Sequence, residues 1–334
     1  MLKLKKMQRV TVLKKIISIV LCIVMLFVPL SVFAIPLSSG DDALRDEFLS
    51  GSNSILNYSY FVPTLSEGEK YPLVVWLHGV ASGNYDGNEL DSYEFCKWAS
   101  DEYQARFVNA GGAFLLCPRC PGGWDATTTD ILMDCIAAFI SEFSSNIDTT
   151  RIYISGFSVG AVMVLRMVND YPSFFAGAVP ISAITQNSSH IKNMKNTAVW
   201  FFANEKDTFI GANASSTRSS YNTLKGIIFD KSALRFTYVS NAVTPSGGSI
   251  IMQHNMWRSF TNDMFMDDTS QYAYSTTLDG YGNTVSFTYP NGVINWLSSQ
   301  ARTDEARATE KTSLWSRIVA FFNMIFSRIS GLFS

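Results

Sequence analysis

The sequence predicts an α/β protein with one doubly wound, mostly parallel sheet, and three observations carry that expectation. Continuous apolar runs recur along the chain, as in strands buried on both faces. Segments of helical periodicity separate many of them. The alternation is sustained over roughly 240 residues, the signature of a sheet with helices on both faces.

In chain order, 58–62 (Tyr-Ser-Tyr-Phe-Val) alternates like an edge strand, and 71–77 (Tyr-Pro-Leu-Val-Val-Trp-Leu) is the first fully apolar run. Further runs follow at 113–117, 151–155, 176–181, 197–203 and 235–239. Helices are expected over 128–143 and 159–169, with weaker signals near 215–225 and 293–300. Between 260 and 291 the pattern changes: 271–278 and 284–289 flank Asp279-Gly280-Tyr281-Gly282-Asn283, which predicts a β-hairpin inserted near the C-terminal end of the sheet. These elements make one domain, 35–300.

The ends differ from this domain. Six of the 26 basic residues lie in the first 15 positions, leaving 20 against 28 acids, a balance that argues against a nucleic-acid binder. Those basic residues precede an apolar run, 16–30, and then Ser31-Val32-Phe33-Ala34, so 1–34 reads as a signal peptide. After a polar linker, 301–312, the segment 313–334 places Leu314, Ile318, Phe321, Phe322, Ile325, Ile329 and Leu332 at helical spacing. Such an amphipathic helix suits either a membrane surface or docking on protein. The chain is 47% hydrophobic and 16% charged, which excludes disorder and leaves ample material for a core.

Cys96, Cys117, Cys120 and Cys135 fall in one short stretch and allow three pairings in an exported protein. His78, His190 and His254 are scattered, so no metal site is expected. Cys117-Pro118-Arg119-Cys120 has redox spacing but follows a strand instead of opening a helix, which favours a structural role.

Gly156-Phe157-Ser158-Val159-Gly160 lies between the strand at 151–155 and the helix from 159. A tight strand-to-helix turn of this kind lifts a serine oxygen clear of the sheet, and the glycines relieve its crowding. Ser158 is therefore the candidate nucleophile. His254, late in the chain and after the 235–239 strand, is the candidate base, whereas His190 and His78 come too early or sit in loops of another kind. The acid should lie between them, at the carboxyl end of the 197–203 strand, where Asp207 is preferred over the nearby Glu205. The oxyanion donors expected are the amides of Val159 and Val80, the latter in the loop after the first buried strand. Trp124 and Trp257 are candidate pocket aromatics.

These segments, with Leu116-Cys117-Pro118-Arg119-Cys120-Pro121-Gly122-Gly123-Trp124 and Arg151-Ile152-Tyr153-Ile154-Ser155-Gly156-Phe157-Ser158-Val159-Gly160-Ala161, resemble the α/β-hydrolase superfamily. Within it the chain is similar to the exported branch of feruloyl and acetylxylan esterases, polyhydroxybutyrate depolymerases and predicted peptidases. The resemblance implies a serine hydrolase acting on small-molecule or polysaccharide-linked esters, with no cofactor. A prolyl-oligopeptidase-like peptidase and a non-catalytic binding module are the alternatives. Two departures stand out: Ala161 replaces a second glycine common in relatives, and 260–291 is longer than the link expected before the last helix.

Overall fold

A computed structural model describes residues 41–52, 56–79, 93–107, 110–121, 123–183, 191–209, 214–241, 253–256, 275–285 and 292–302. The expected signal peptide and the amphipathic tail lie outside these residues, as do nearly all of the linker, Val80, Trp257 and His190.

Among the described residues, ten strands form one sheet in the order β1-β2-β4-β3-β5-β6-β7-β8-β9-β10. These are β1 (Leu49–Ser52), β2 (Asn57–Phe61), β3 (Tyr71–Leu77), β4 (Phe114–Pro118), β5 (Ile147–Phe157), β6 (Gly177–Ile181), β7 (Ala198–Asn204), β8 (Leu234–Val239), β9 (Ser275–Asp279) and β10 (Thr284–Val285). From β4 to β8 every pairing is parallel; β1 and β2 at one edge and β9 and β10 at the other are antiparallel. The chain places β4 on one side of β3 and β5 on the other, so the strand order reverses there. A crevice at the carboxyl ends of the strands on either side of such a reversal is the usual ligand position in open α/β sheets.

The apolar runs build two cores because side chains alternate across the sheet. In β3, Leu73, Val75 and Leu77 join one cluster and Val74 and Trp76 the other. The first cluster is closed by α3 (Thr129–Glu142), α4 (Val159–Asp170) and α5 (Ala214–Ile227), through Leu132, Ile136 and Phe139, Val164 and Leu165, and Tyr221 and Leu224. The second is closed by the 3₁₀ segment Tyr93–Ala99 and by α6 (Gly292–Ser298), through Phe95, Trp98, Trp296 and Leu297. Two short helices, α1 (Asp41–Asp46) and α2 (Asp101–Gln104), lie outside the alternating pattern. Each large apolar side chain fully buried in this way contributes about 1.5–3 kcal/mol.

Strand β5 starts four residues before the run that predicted it. Its register with β3 shifts between Tyr71 and Leu73, at Pro72, which has no amide to donate, and beyond the shift Tyr71 pairs with Ile147. The four cysteines are buried in different layers: Cys96 and Cys117 in the second core, Cys120 and Cys135 in the first.

Strands β9 and β10 form a hairpin about the expected glycine turn, but they prolong the main sheet beyond β8. Asp279 pairs with Arg235 at the start of β8, so the turn sits at the edge opposite the carboxyl ends of the parallel strands. Gly280 is required there, since a Cβ would lie 2.1 Å from the carbonyl oxygen of Lys231. The turn therefore lies at the end of the sheet opposite Ser158 and His254, and the link 257–274 lies outside the described residues.

Candidate active site

Ser158 sits between β5 and α4 with φ 57° and ψ −119°, a strained conformation for a residue with a side chain. Two glycines make the turn possible. A Cβ at Gly160 would stand 2.4 Å from the carbonyl oxygens of both Leu77 and His78, and one at Gly156 would stand 2.9 Å from the backbone of Gly160. The elbow is thus pressed against the end of β3, and the Ser158 amide is fixed by the carbonyl of Ile181, 3.0 Å away at the end of β6.

His254 lies in the short turn Gln253–Asn255, and its Nε2 is 2.9 Å from Ser158 Oγ. Its Nδ1 is 2.7 Å from Asp207 Oδ2, just beyond the carboxyl end of β7. The other oxygen of Asp207 accepts the Phe209 amide at 2.9 Å. All three side chains are buried, and the sequence distances of 47 and 96 residues that separate His254 from its partners are closed by the parallel sheet. Glu205, the rival acid, is exposed, and its amide is tied to the Val239 carbonyl. An Nδ1 proton held by Asp207 leaves Nε2 as the acceptor for the serine hydroxyl proton, the arrangement a proton shuttle needs.

The loop after β3 is braced from β4. His78 Nδ1 is 2.7 Å from the Gly79 carbonyl, and its Nε2 accepts the Cys120 amide at 3.1 Å. The indole N–H of Trp124 donates to the His78 carbonyl at 3.0 Å. Trp124 is buried, with its polar atom engaged in this brace, so it supports the chain at His78, directly after β3. Val159 opens α4, where the first amides of a helix have no intrahelical acceptor.

Four contributors to the site carry no pattern in the sequence. The ring of Phe209 stacks on the His254 imidazole, centroids 4.5 Å apart, and Phe157 approaches the same ring at 4.9 Å. Asn204, fully buried at the end of β7, donates from Nδ2 to Gln253 Oε1 at 2.8 Å and accepts the Lys206 amide at 2.7 Å. Ser182, at the end of β6, donates to the carbonyl of His254. Asn204 and Phe209 flank Asp207 closely enough that proximity was the one available signal; Ser182 had none. Among the described residues no group of three or more His, Cys, Asp or Glu side chains could hold a metal ion.

Residues 121–232 match the prolyl oligopeptidase family. A segment of 159 residues is 26% identical to "Putative esterase NocK" of Nocardia uniformis subsp. tsuyamanensis, covering 44% of this chain and 43% of that protein. The structure superposes on a crystal structure of a thermostable esterase with a TM-score of 0.58 at 24% identity, over 78% of this chain and 64% of that one. The chain has the α/β-hydrolase fold. It spans less than half the length of the curated relative and just under two thirds of the solved one. Strand β2 runs antiparallel to both its neighbours, β1 and β4, and β9 and β10 extend the far edge beyond β8.

Proposed function

We propose that this protein is a serine hydrolase that cleaves carboxylic esters through an acyl-enzyme. The observation that carries the reading is the hydrogen-bonded chain from Ser158 Oγ through His254 to Asp207, set on a strained strand-to-helix turn. Ser158 Oγ attacks the ester carbonyl as His254 Nε2 takes its proton. The imidazolium so formed is held by Asp207 and returns the proton to the leaving alcohol. Water then attacks the acyl-Ser158 ester by the same relay, releasing the acid. The amides of Val159 and Val80 serve the oxyanion in both steps, each donor commonly worth a factor of about 10² to 10³. Similarity to a protein named as an esterase supports the choice of bond.

The match to the prolyl oligopeptidase family favours a second reading, hydrolysis of peptide bonds by the same residues. Assay of the full chain against activated short-chain esters and matched anilides separates the two, and Ser158→Ala tests both. The ester reading predicts turnover of the ester, no turnover of the anilide, and loss of at least 10³-fold in Ser158→Ala, about the scale of a lost nucleophile. Residual activity within a few-fold of wild type would remove Ser158 from the chemistry.

Export and a polysaccharide-linked acyl substrate belong to the same proposal. The basic-then-apolar order of 1–34 supports export, and sequencing the mature N-terminus after secretion tests it. The tail 313–334 is proposed to lie on a membrane surface; deleting it should release the protein from liposomes and leave ester turnover unchanged.

A further inference from the structure

Among the described residues two other than glycine have positive φ, and both lie at this site. One is Ser158; the other is Ser182, with φ 51°, directly after β6. An L side chain is sterically disfavoured in that region, where glycine is at ease. A serine held there without access to water points to a use for its hydroxyl.

The hydrogen bonds show what that use is. The Ser182 amide donates to the Phe202 carbonyl at 2.9 Å, which fastens the residue to β7. Its Oγ donates to the carbonyl of His254 at 3.3 Å. One residue earlier, the Ile181 carbonyl accepts the Ser158 amide at 3.0 Å. The backbones of the nucleophile and of the base are therefore attached to consecutive residues of one strand end. Asn204 supplies a second attachment to the His254 turn, through Gln253.

We propose that Ser182 is a positioning residue that fixes the His254 turn against the Ser158 elbow through its hydroxyl. The inference rests on Ser158 and His254 being the nucleophile and base. Without the hydroxyl the His254 carbonyl loses its partner at the end of β6, and the turn is left to the Asn204–Gln253 bond and the His254–Asp207 pair. The 2.9 Å contact between Nε2 and Oγ is then kept for a smaller fraction of the time. Displacement of a reacting group by about 1 Å can cost about 10²-fold in rate, so a partial loss of placement should cost about tenfold. Ser182 is fully buried and offers a substrate no surface, so the loss should fall on kcat.

The test compares wild type, Ser182→Gly and Ser182→Ala in the full chain, using an activated short-chain ester, the rate of fluorophosphonate labelling and thermal melting. Ser182→Gly suits the left-handed backbone and removes only the hydroxymethyl group. It should melt within a few degrees of wild type yet show kcat and labelling rate lower by about tenfold, with KM within about twofold. Ser182→Ala should lose activity to a similar degree and also melt lower, because its Cβ keeps the steric strain. Wild-type kcat in Ser182→Gly overturns the proposal, as does a change confined to KM. Absence of turnover in the wild type overturns the hydrolase reading and this inference with it, whereas an active wild type with an indifferent Ser182→Gly removes this inference alone.

Discussion

The ring of Phe209 lies almost parallel to the imidazole of His254, at 16° and 4.5 Å between centroids. An aromatic face attracts a cation, and His254 becomes one in each proton-transfer step of the proposed reaction. Phe209→Leu keeps bulk and removes that face, so kcat/KM should fall about two- to tenfold, and Phe209→Tyr should recover most of it. Equal loss in both variants would assign Phe209 to packing alone.

The two carboxyls after β7 differ in role. Asp207→Asn leaves the volume unchanged but no longer orients the imidazole, and kcat should drop by about 10³- to 10⁴-fold. Glu205→Gln, at an exposed position, should stay within a few-fold of wild type. Ester kinetics on both variants check the assignment.

Gly160 cannot accept a side chain without movement of β3. In Gly160→Ala the new carbon would meet two carbonyl oxygens at 2.4 Å, and backbone cannot yield as a flexible side chain does. Overpacking of this kind costs about 1–3 kcal/mol, or about 2–10 °C in melting temperature for a domain of this size. Because the displaced carbonyls belong to the β3 end that leads into the His78 loop, activity should fall more than stability does.

Asp148 should give an acid-dependent contribution to stability. Burial pushes its carboxyl up, but hydrogen bonds from the Thr150 hydroxyl and amide and from Arg151, 2.8 Å away, outweigh this and hold it below the ordinary value. A carboxyl whose pKa is depressed by folding adds stability above its unfolded value, near 3.9, and loses it as pH falls through the folded value. Asp148→Asn should therefore melt below wild type at pH 7, with the gap narrowing as the pH drops below about 4. A constant gap from pH 7 to pH 3 would contradict the assignment.

Any disulfide formed on export should respect the two cores. Cys96 shares a layer with Cys117, and Cys120 shares one with Cys135. All four are reduced thiols in the structure, and peptide mapping without reduction should find no link between the layers, the 117–120 pair included despite its short sequence spacing.

Much of this arrangement was legible because buried parallel strands write themselves as apolar runs. The run at 71–77 gave β3 to the residue, and the glycines about Ser158 located the elbow because that backbone tolerates little else. Asp207 and His254 followed from position along the chain. What stayed hidden depended on three-dimensional neighbours. Ser182 occupies a left-handed conformation that sequence reading assigns to glycine, and the Phe209 stack needs a ring 45 residues away. The hairpin turn was readable at 279–283, but its place at the far edge of the sheet depends on pairing with β8, which no local pattern encodes.

Arg302 closes the described chain by donating its backbone amide to Thr150 at 3.0 Å and its guanidinium to the carbonyls of Thr149 and Ser173. Thr150 is near the start of β5, seven strand residues or about 23 Å from Phe157 at the elbow. Arg302 thus lies at the side of the sheet opposite the elbow. An affinity tag or solid support joined through that side would hold the molecule by its base and leave the elbow side turned toward solution, which makes this the preferred direction for immobilising the protein.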